Sequence, residues 1–335
     1  MRFRTNCVQL ELTKKILVIG GAGYLGAHIS LVLKNAGYDV TVFCRSLPSA
    51  ANEVFNGIKI LRGDIALEET IRELVLTYYD VVIHTVSLDH KMSESLNISQ
   101  VNNINVNATW LMLEKFLISS SKTFIYLSTI HVIGNLVKKS IDEDVEKNPN
   151  NIYALTHSFC EDLCNYYQRK SDANCFVLRL SNGYGSPIFV ENNWNWLVVN
   201  DLTKMAFEHK AIVLNSEGTA TRDFIHNSDI ANCIHYLISS NTSGHKLFNV
   251  SSGRSISLLQ LAHLVQDIYE VRYKIKIPVY YNTNIISTAS PVINHQNNIN
   301  NTKLKNFGFS CKIQIEEGIN EVFNYLESIS NYAKS

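Results

Sequence analysis

Three successive stretches near the start of the chain strongly limit what it can fold into. KKILVIG (14–20) is a short apolar run that predicts a buried strand, and GGAGYLG (20–26) is a glycine-rich turn. AHISLVLKNAG (27–37) has the apolar periodicity of a helix, with Gly37 as its stop. The three stretches together predict the start of a β–α–β unit and therefore a parallel sheet.

The same alternation continues to about residue 182. We expect strands at 38–45, 57–65, 80–86, 122–129 and 174–182, and helices at 67–78, 105–120 and 154–170. Strands and helices that alternate with short connections predict a parallel sheet covered by helices on both faces. We expect residues 14–182 to form this α/β domain.

Beyond about residue 183 the alternation becomes irregular. A helix is expected around 197–209, strands at 211–215 and 245–250, and helices at 257–270 and 315–329. The Asn-rich segment 282–302 has little periodicity and predicts a long loop. We expect residues 183–330 to form mainly a smaller lobe, with later segments returning to the sheet domain.

Composition excludes several classes of partner. The 335 residues include 30 basic and 30 acidic side chains, so net charge does not favour a nucleic acid or an anionic membrane surface. No apolar run reaches the length of a membrane span, and residues 1–15 lack the apolar stretch of a signal peptide. Seven cysteines without metal-ligand spacing fit a reducing compartment. We expect a cytoplasmic protein without a metal site.

The glycine turn predicts a dinucleotide-binding site. Gly20, Gly23 and Gly26 stand in G-x-x-G-x-x-G order between a predicted strand and a predicted helix. Backbone amides and a helix N-terminus at such a turn can bind a pyrophosphate, and glycines let the backbone approach it closely.

The end of the second predicted strand indicates which dinucleotide is bound. An acid there binds the ribose 2′-hydroxyl of NAD, whereas an arginine accommodates the 2′-phosphate of NADP. This chain has Cys44, Arg45 and Ser46, which favours NADP over NAD. Alternatively, Arg45 is an exposed loop residue without a role in binding. Asp64, at the end of the third predicted strand, could bind the adenine amino group or could be an ordinary turn residue.

Five segments occur in an order that resembles one protein family. They are 20–26, LSTIHVIG (127–134), Tyr153 with His157, RLSNGYG (179–185) and RDFIHNSDIA (222–231). Over roughly 14–330 the chain resembles the extended short-chain dehydrogenase/reductase superfamily, which includes nucleotide-sugar epimerases, dehydratases and ketoreductases. The resemblance implies a Rossmann-type doubly wound parallel sheet, a smaller C-terminal α/β substrate-binding lobe, a nucleotide-sugar substrate, and a homodimer paired through helices that include the one after Tyr153.

The resemblance also implies catalytic roles. Thr129 matches the hydroxyl that positions a substrate carbonyl, and Tyr153 matches the acid/base. The family's lysine, which lowers the tyrosine pKa and binds the nicotinamide ribose, is replaced by His157. A neutral histidine could keep the ribose contact, but a desolvated histidine tends to lose its charge. Reduction needs only a protonated tyrosine, whereas oxidation needs a base, so the replacement favours carbonyl reduction.

Other site residues follow from the same resemblance. Cofactor contacts are expected from Tyr24, Leu25, Ile65, Thr85 and Asn105 as well as the residues named above, and substrate contacts from Thr129, His131, Asn182 and Arg222. Arg179 and Arg222 could instead form structural ion pairs.

The sequence leaves three functions open. The segment after Thr129 is Ile130-His131, without the Asp-Glu pair of the family's dehydratases, which argues against 4,6-dehydration. An NADPH-dependent ketoreductase is favoured. A 4-epimerase with tightly bound NAD and a non-catalytic dinucleotide sensor are the alternatives.

Overall fold

The computed structural model of the protein describes residues 13–134, 140–240, 244–281 and 298–332. Its strands are β1 (Lys15–Ile19), β2 (Asp39–Cys44), β3 (Lys59–Arg62), β4 (Val81–His84), β5 (Thr123–Thr129), β6 (Ser140–Ile141), β7 (Asn174–Leu180), β8 (Asn182–Tyr184), β9 (Ile212–Leu214), β10 (Thr221–His226), β11 (His245–Val250), β12 (Ser255–Ser257), β13 (Val279–Tyr281) and β14 (Asn298–Ile299). Its α-helices are α1 (Tyr24–Asn35), α2 (Ala51–Val54), α3 (Glu68–Glu73), α4 (His90–Ser95), α5 (Ile98–Val101), α6 (Ala108–Leu117), α7 (Ile152–Gln168), α8 (Val198–His209), α9 (Asn227–Ser239), α10 (Leu258–Tyr273), α11 (Thr302–Phe307) and α12 (Ile315–Tyr332).

A seven-stranded sheet forms the centre of the molecule, in the order β11-β7-β5-β4-β1-β2-β3, and every neighbouring pair is parallel. The strands are short apolar runs, and four of the five residues of β1 are buried. One helical layer, which includes α1 and α9, packs on one face, and α6 and α7 pack on the other. The predicted doubly wound α/β fold is confirmed.

The second half of the chain contributes to both parts of the structure. β11 joins the main sheet beside β7, and α9 packs against α1. The sheet β12-β10-β8 and the pair β13–β9 lie with α8, α10 and α12 around a separate apolar core. Because β8 follows β7 after one residue, this smaller part begins at the carboxyl edge of the main sheet.

Two predicted helices have different bounds in the structure. The helix expected at 67–78 ends at Glu73, because Leu74 turns to an extended conformation before a 3₁₀ turn at Leu76–Tyr78. The helix expected at 105–120 begins at Ile98 instead, because Asn97 and Gln100 form a capping box. It passes through a π-helical turn at Asn102–Asn107 and ends at Leu117.

The predicted loop at 282–302 lies mostly outside the described residues, which exclude 282–297. At its end the prediction is wrong. β14 pairs with β6, and α11 begins at Thr302. Strand pairing between segments this distant in sequence gives no local periodic signal.

Candidate active site

A cavity of about 1100 Å³ opens at the carboxyl ends of the central strands and extends to β8 and β10. Ligand sites of open α/β sheets lie at this edge. The cavity brings together residues that are far apart in sequence. Of the residues expected at the site, those lining it are Gly20, Gly23, Tyr24, Leu25, Gly26, Arg45, Ser46, Asp64, Ile65, Thr85, Thr129, His131, Tyr153, His157, Asn182 and Arg222.

The turn between β1 and α1 can accept only glycine at two positions. Gly20 has φ +82°, and a Cβ at Gly26 would lie 2.1 Å from the carbonyl oxygen of Gly20. α1 then starts at Tyr24 with no acidic residue in its first turn, so its N-terminus faces the cavity without a competing carboxylate. This tight turn beneath a helix N-terminus fits a dinucleotide pyrophosphate.

At one end of the cavity, Arg45 is the charged residue that follows β2. Its side chain is 70% exposed, and its Nη1 lies 3.9 Å from Oδ2 of Asp64, a weak surface contact. Asp64 also accepts a hydrogen bond from the Ala66 amide at 3.0 Å, as a turn residue does. Arg45 is therefore free to turn toward an anionic ligand, and residues 44–46 provide no carboxylate for a ribose hydroxyl.

Thr129 and Tyr153 meet at the centre of the cavity wall. Thr129 is the last residue of β5, and Tyr153 is the second residue of α7, whose N-terminus Asn151 caps through the Ala154 amide at 2.8 Å. Burial raises the pKa of the Tyr153 phenol, a hydrogen bond with Thr129 partly offsets this rise, and nearby Asp89 adds to it. Tyr153 is therefore a protonated phenol, a proton donor, at neutral pH.

His157 lies one helical turn after Tyr153, with the two ring centroids 4.6 Å apart in an edge-to-face arrangement. Its Nδ1 is 2.8 Å from the Tyr126 hydroxyl, and its Nε2 is 3.0 Å from the Ser87 hydroxyl. Burial, with smaller effects of His84 and His131, lowers the His157 pKa to about 3. The ring is therefore neutral and supplies no positive charge to Tyr153.

His131 occupies the region where the family's dehydratases carry carboxylates. Its amide donates to the Thr129 hydroxyl at 3.3 Å, and its ring lies 6.3 Å from that of Tyr153. Burial, and then Arg222 and His90, lower its pKa to about 4. A neutral imidazole at this position can line a substrate site, but it cannot replace a carboxylate pair.

At the lobe end of the cavity, Asn182 and Arg222 are held by the backbone. Asn182 donates to the Asp223 carbonyl at 2.8 Å, and Arg222 donates to its neighbour Thr221 at 3.0 Å. Desolvation lowers the pKa of the Arg222 guanidinium, and the side chain lines the cavity. The guanidinium can still bind a phosphate.

Arg179 does not belong to the cavity wall. Its Nε and Nη2 donate to the two carboxylate oxygens of Glu161 at 3.0 and 2.8 Å, and both side chains are buried. Ser128 donates to the same carboxylate at 2.6 Å. Arg179 therefore joins β7 to α7 and β5, which is the structural alternative considered from the sequence.

Asn105 is the one expected contact that the structure places elsewhere. It is buried behind the cavity wall, where it accepts from the Leu88 amide at 2.8 Å and donates to Thr156 at 3.1 Å. Because its amide group is already used by these two partners, it supports the loop after β4 and is not positioned to bind the cofactor directly.

Sequence reasoning missed several lining residues. Ser87, Asp89 and His90 follow β4, and Glu191 and Asn192 come from a loop that crosses the glycine turn, where Asn192 donates to the Ala22 carbonyl at 3.1 Å. The sequence could have predicted the first group, because polar residues directly after a buried parallel strand lie at the edge of the sheet where ligands bind. For the second group the sequence offers no such signal.

Among the described residues, no cluster of three or more His, Cys, Asp or Glu side chains could hold a metal ion. In the same part of the chain, no helix is both long enough and apolar enough to cross a membrane.

The chain is similar to proteins that act on nucleotide sugars. The family model for the NAD dependent epimerase/dehydratase family matches residues 16–251. The dTDP-D-glucose 4,6-dehydratase of Bos taurus is 24% identical over 334 residues, covering 96% of this chain and 91% of that protein. UDP-glucose 4-epimerase 4 of Oryza sativa subsp. japonica is 24% identical, covering 76% of this chain and 77% of that protein.

Solved structures show the same fold. The UDP-glucose 4-epimerase of Thermotoga maritima with UDP-glucose has a TM-score of 0.78 at 23% identity, covering 94% of this chain and 99% of that one. The UDP-glucuronic acid 4-epimerase of Bacillus cereus, in complex with UDP-glucuronic acid and NAD, also has a TM-score of 0.78, at 20% identity and the same coverage.

Proposed function

Because this chain belongs to the NAD dependent epimerase/dehydratase family, within the extended short-chain dehydrogenase/reductase superfamily, we propose that it reduces a keto group of a nucleotide-linked sugar with NADPH. The observation that carries the proposal is the neutral His157 beside Tyr153. Without a fixed cation next to it, the Tyr153 phenol keeps its proton at neutral pH, which suits a donor better than a base.

Different residues of the chain have different roles in this reaction. When bound, the nicotinamide cofactor would supply the hydride. The Thr129 hydroxyl orients the substrate carbonyl, and Tyr153 donates a proton to the carbonyl oxygen as it becomes an alcohol. The Tyr153 side chain is half-buried in the cavity wall. Arg222 and Asn182 bind the nucleotide diphosphate at the lobe end.

The preference for NADPH is supported by the end of β2. Cys44 stands where an acid would bind a ribose 2′-hydroxyl, and the exposed Arg45 provides a guanidinium for a 2′-phosphate. The dissociation constants of NADPH and NADH, measured by titration calorimetry, test this. Arg45→Ala should weaken NADPH by about tenfold and leave NADH nearly unchanged. Equal losses for the two cofactors would exclude a role in 2′-phosphate binding.

A 4-epimerase with tightly bound NAD is the second candidate, supported by the two solved epimerases of the same fold. A 4,6-dehydratase is not proposed, although the Bos taurus relative bears that name, because Ile130 and His131 replace the carboxylates.

NADPH consumption with a panel of 4-keto-6-deoxy nucleotide sugars separates the candidates. A reductase consumes NADPH with at least one of them. An epimerase carries NAD through purification and interconverts two nucleotide sugars with no added cofactor. Tight cofactor binding without either reaction would contradict an enzymatic role and favour a sensor.

A further inference from the structure

We propose that Ser87 is a cofactor-binding residue, whose hydroxyl accepts a hydrogen bond from a hydroxyl of the nicotinamide-side ribose. His157 fixes Ser87 and does not reach the cofactor itself. The pair would replace the ribose contact that a lysine at position 157 makes in the family. This inference rests on the dinucleotide site of the proposed function and not on the direction or substrate of the reaction.

Neither nitrogen of the His157 ring is available to a ligand. Nδ1 contacts the Tyr126 hydroxyl at 2.8 Å and Nε2 contacts the Ser87 hydroxyl at 3.0 Å. The His157 side chain is buried, so a ligand contact would require Ser87 to leave. Ser87 is half-buried and lines the cavity.

The direction of each hydrogen bond follows from counting protons. The Ser87 hydroxyl donates its single proton to the Leu88 carbonyl at 3.0 Å, so it must accept from His157. The proton of the neutral ring is then on Nε2, and Nδ1 accepts from Tyr126. Burial raises the pKa of Tyr126, which keeps the proton that this bond needs. Ser87 Oγ has two acceptor sites, and one remains unused.

The position of Ser87 is fixed from the other side of the loop. The Leu88 amide donates to Asn105 Oδ1 at 2.8 Å, and the same side chain donates to Thr156 of α7 at 3.1 Å. The loop after β4 is therefore tied to the helix that carries Tyr153 and His157. A rigid acceptor at the catalytic end of the cavity fits a ligand hydroxyl, and the ribose hydroxyls are donors of the required kind.

The test is cofactor affinity in the absence of substrate, measured by titration calorimetry on the full chain. Ser87→Ala should raise the dissociation constant of NADPH by about tenfold, the effect expected for one lost hydrogen bond. The affinity for adenosine 2′,5′-bisphosphate, which lacks the nicotinamide-side ribose, should stay unchanged. Ser87→Cys keeps the shape with a weaker acceptor and should give an intermediate loss, which provides the test if the alanine variant does not fold.

Ser93→Ala is the matched control. The Ser93 hydroxyl also donates to the Leu88 carbonyl, at 3.4 Å, but Ser93 is buried away from the cavity, so NADPH affinity should not change. Equal weakening of NADPH and the bisphosphate would show a loop effect and overturn the inference. Unchanged NADPH affinity in both Ser87 variants would also overturn it. If the wild type binds NADPH but reduces no keto sugar of the panel, the proposed reaction is overturned and the role of Ser87 is not. If the wild type binds no dinucleotide, both the proposed reaction and the role of Ser87 are overturned.

Discussion

At the scale of single residues, position 157 distinguishes this chain from the family pattern. The sequence shows that lysine is replaced by histidine, and residue chemistry leaves both a charged and a neutral ring open. The structure favours the neutral ring, because the side chain is buried between two hydroxyl groups and next to other histidines. A protonated Tyr153 follows from this environment.

Tyr153→Phe should lower turnover by about a hundredfold to ten-thousandfold, because the proton donor is lost while the packing of the ring is kept. NADPH affinity should remain within about twofold of the wild type. The measurements are steady-state kinetics with the active keto sugar and cofactor titration. An unchanged rate would show that another group donates the proton.

His157→Lys should speed alcohol oxidation more than carbonyl reduction, because a cation next to Tyr153 lowers the phenol pKa and helps it act as a base. Rates in both directions, measured from pH 6 to 10, should show the oxidation profile moving to lower pH. Equal changes in the two directions would contradict the role assigned to the missing charge.

At the scale of elements, α7 and the strands beneath it bury groups that titrate. His84 at the end of β4 and His157 in α7 have their pKa values lowered to about 4 and about 3 by burial. Their unfolded values are about 6.5. Below that pH the unfolded chain binds more protons than the native protein. The contribution of the two histidines to the free energy of unfolding is therefore fully present above about pH 6.5 and is lost as the pH falls toward their pKa values in the folded protein.

The free energy of unfolding should therefore decrease between pH 7 and pH 5. His84→Gln should remove about 2 kcal/mol of that pH-dependent loss, whatever it does to stability at pH 7. Urea unfolding at several pH values measures this difference. The matched control is His209→Gln, at an exposed histidine at the end of α8. Identical slopes for wild type and the His84 variant would contradict the burial argument.

At the scale of the whole molecule, the cavity exists because two parts of the chain meet at the carboxyl edge of one sheet. The main sheet is completed by β11 from the second half, and the smaller part contributes Asn182 and Arg222 from β8 and β10. The division at 182/183 expected from the sequence remains a proposal, and the described contacts show chain segments passing between the two parts in both directions.

The outer face of α6 and α7 is the surface through which we expect two copies to pair. Trp110 and Phe159 are 40% and 43% exposed, with ring centroids 6.1 Å apart, and Leu155 and Tyr166 on α7 are exposed beside them. Phe159→Glu should convert a dimer to a monomer in analytical ultracentrifugation, because a charge would be buried at the interface. Val271→Glu, on an apolar residue of α10 that is 72% exposed, should not. A wild-type monomer at micromolar concentration would exclude the expected dimer.

The sequence by itself determined what depends on local order. The glycine turn, the apolar strands, Thr129 and the Tyr153–His157 spacing are encoded within short segments, because period, turn chemistry and helix position are local properties. Residues of these segments line the cavity, so the sequence was sufficient to identify them as candidate site residues.

The tertiary structure decided what depends on encounters between distant residues. Asn105 accepts a hydrogen bond from the Leu88 amide and so supports a loop, and Arg179 forms an ion pair with Glu161. Ser87 is hydrogen-bonded to His157, which lies 70 positions later in the chain. The charge of His157 was set in the same way, since desolvation depends on every element packed around a ring and not on its neighbours in sequence.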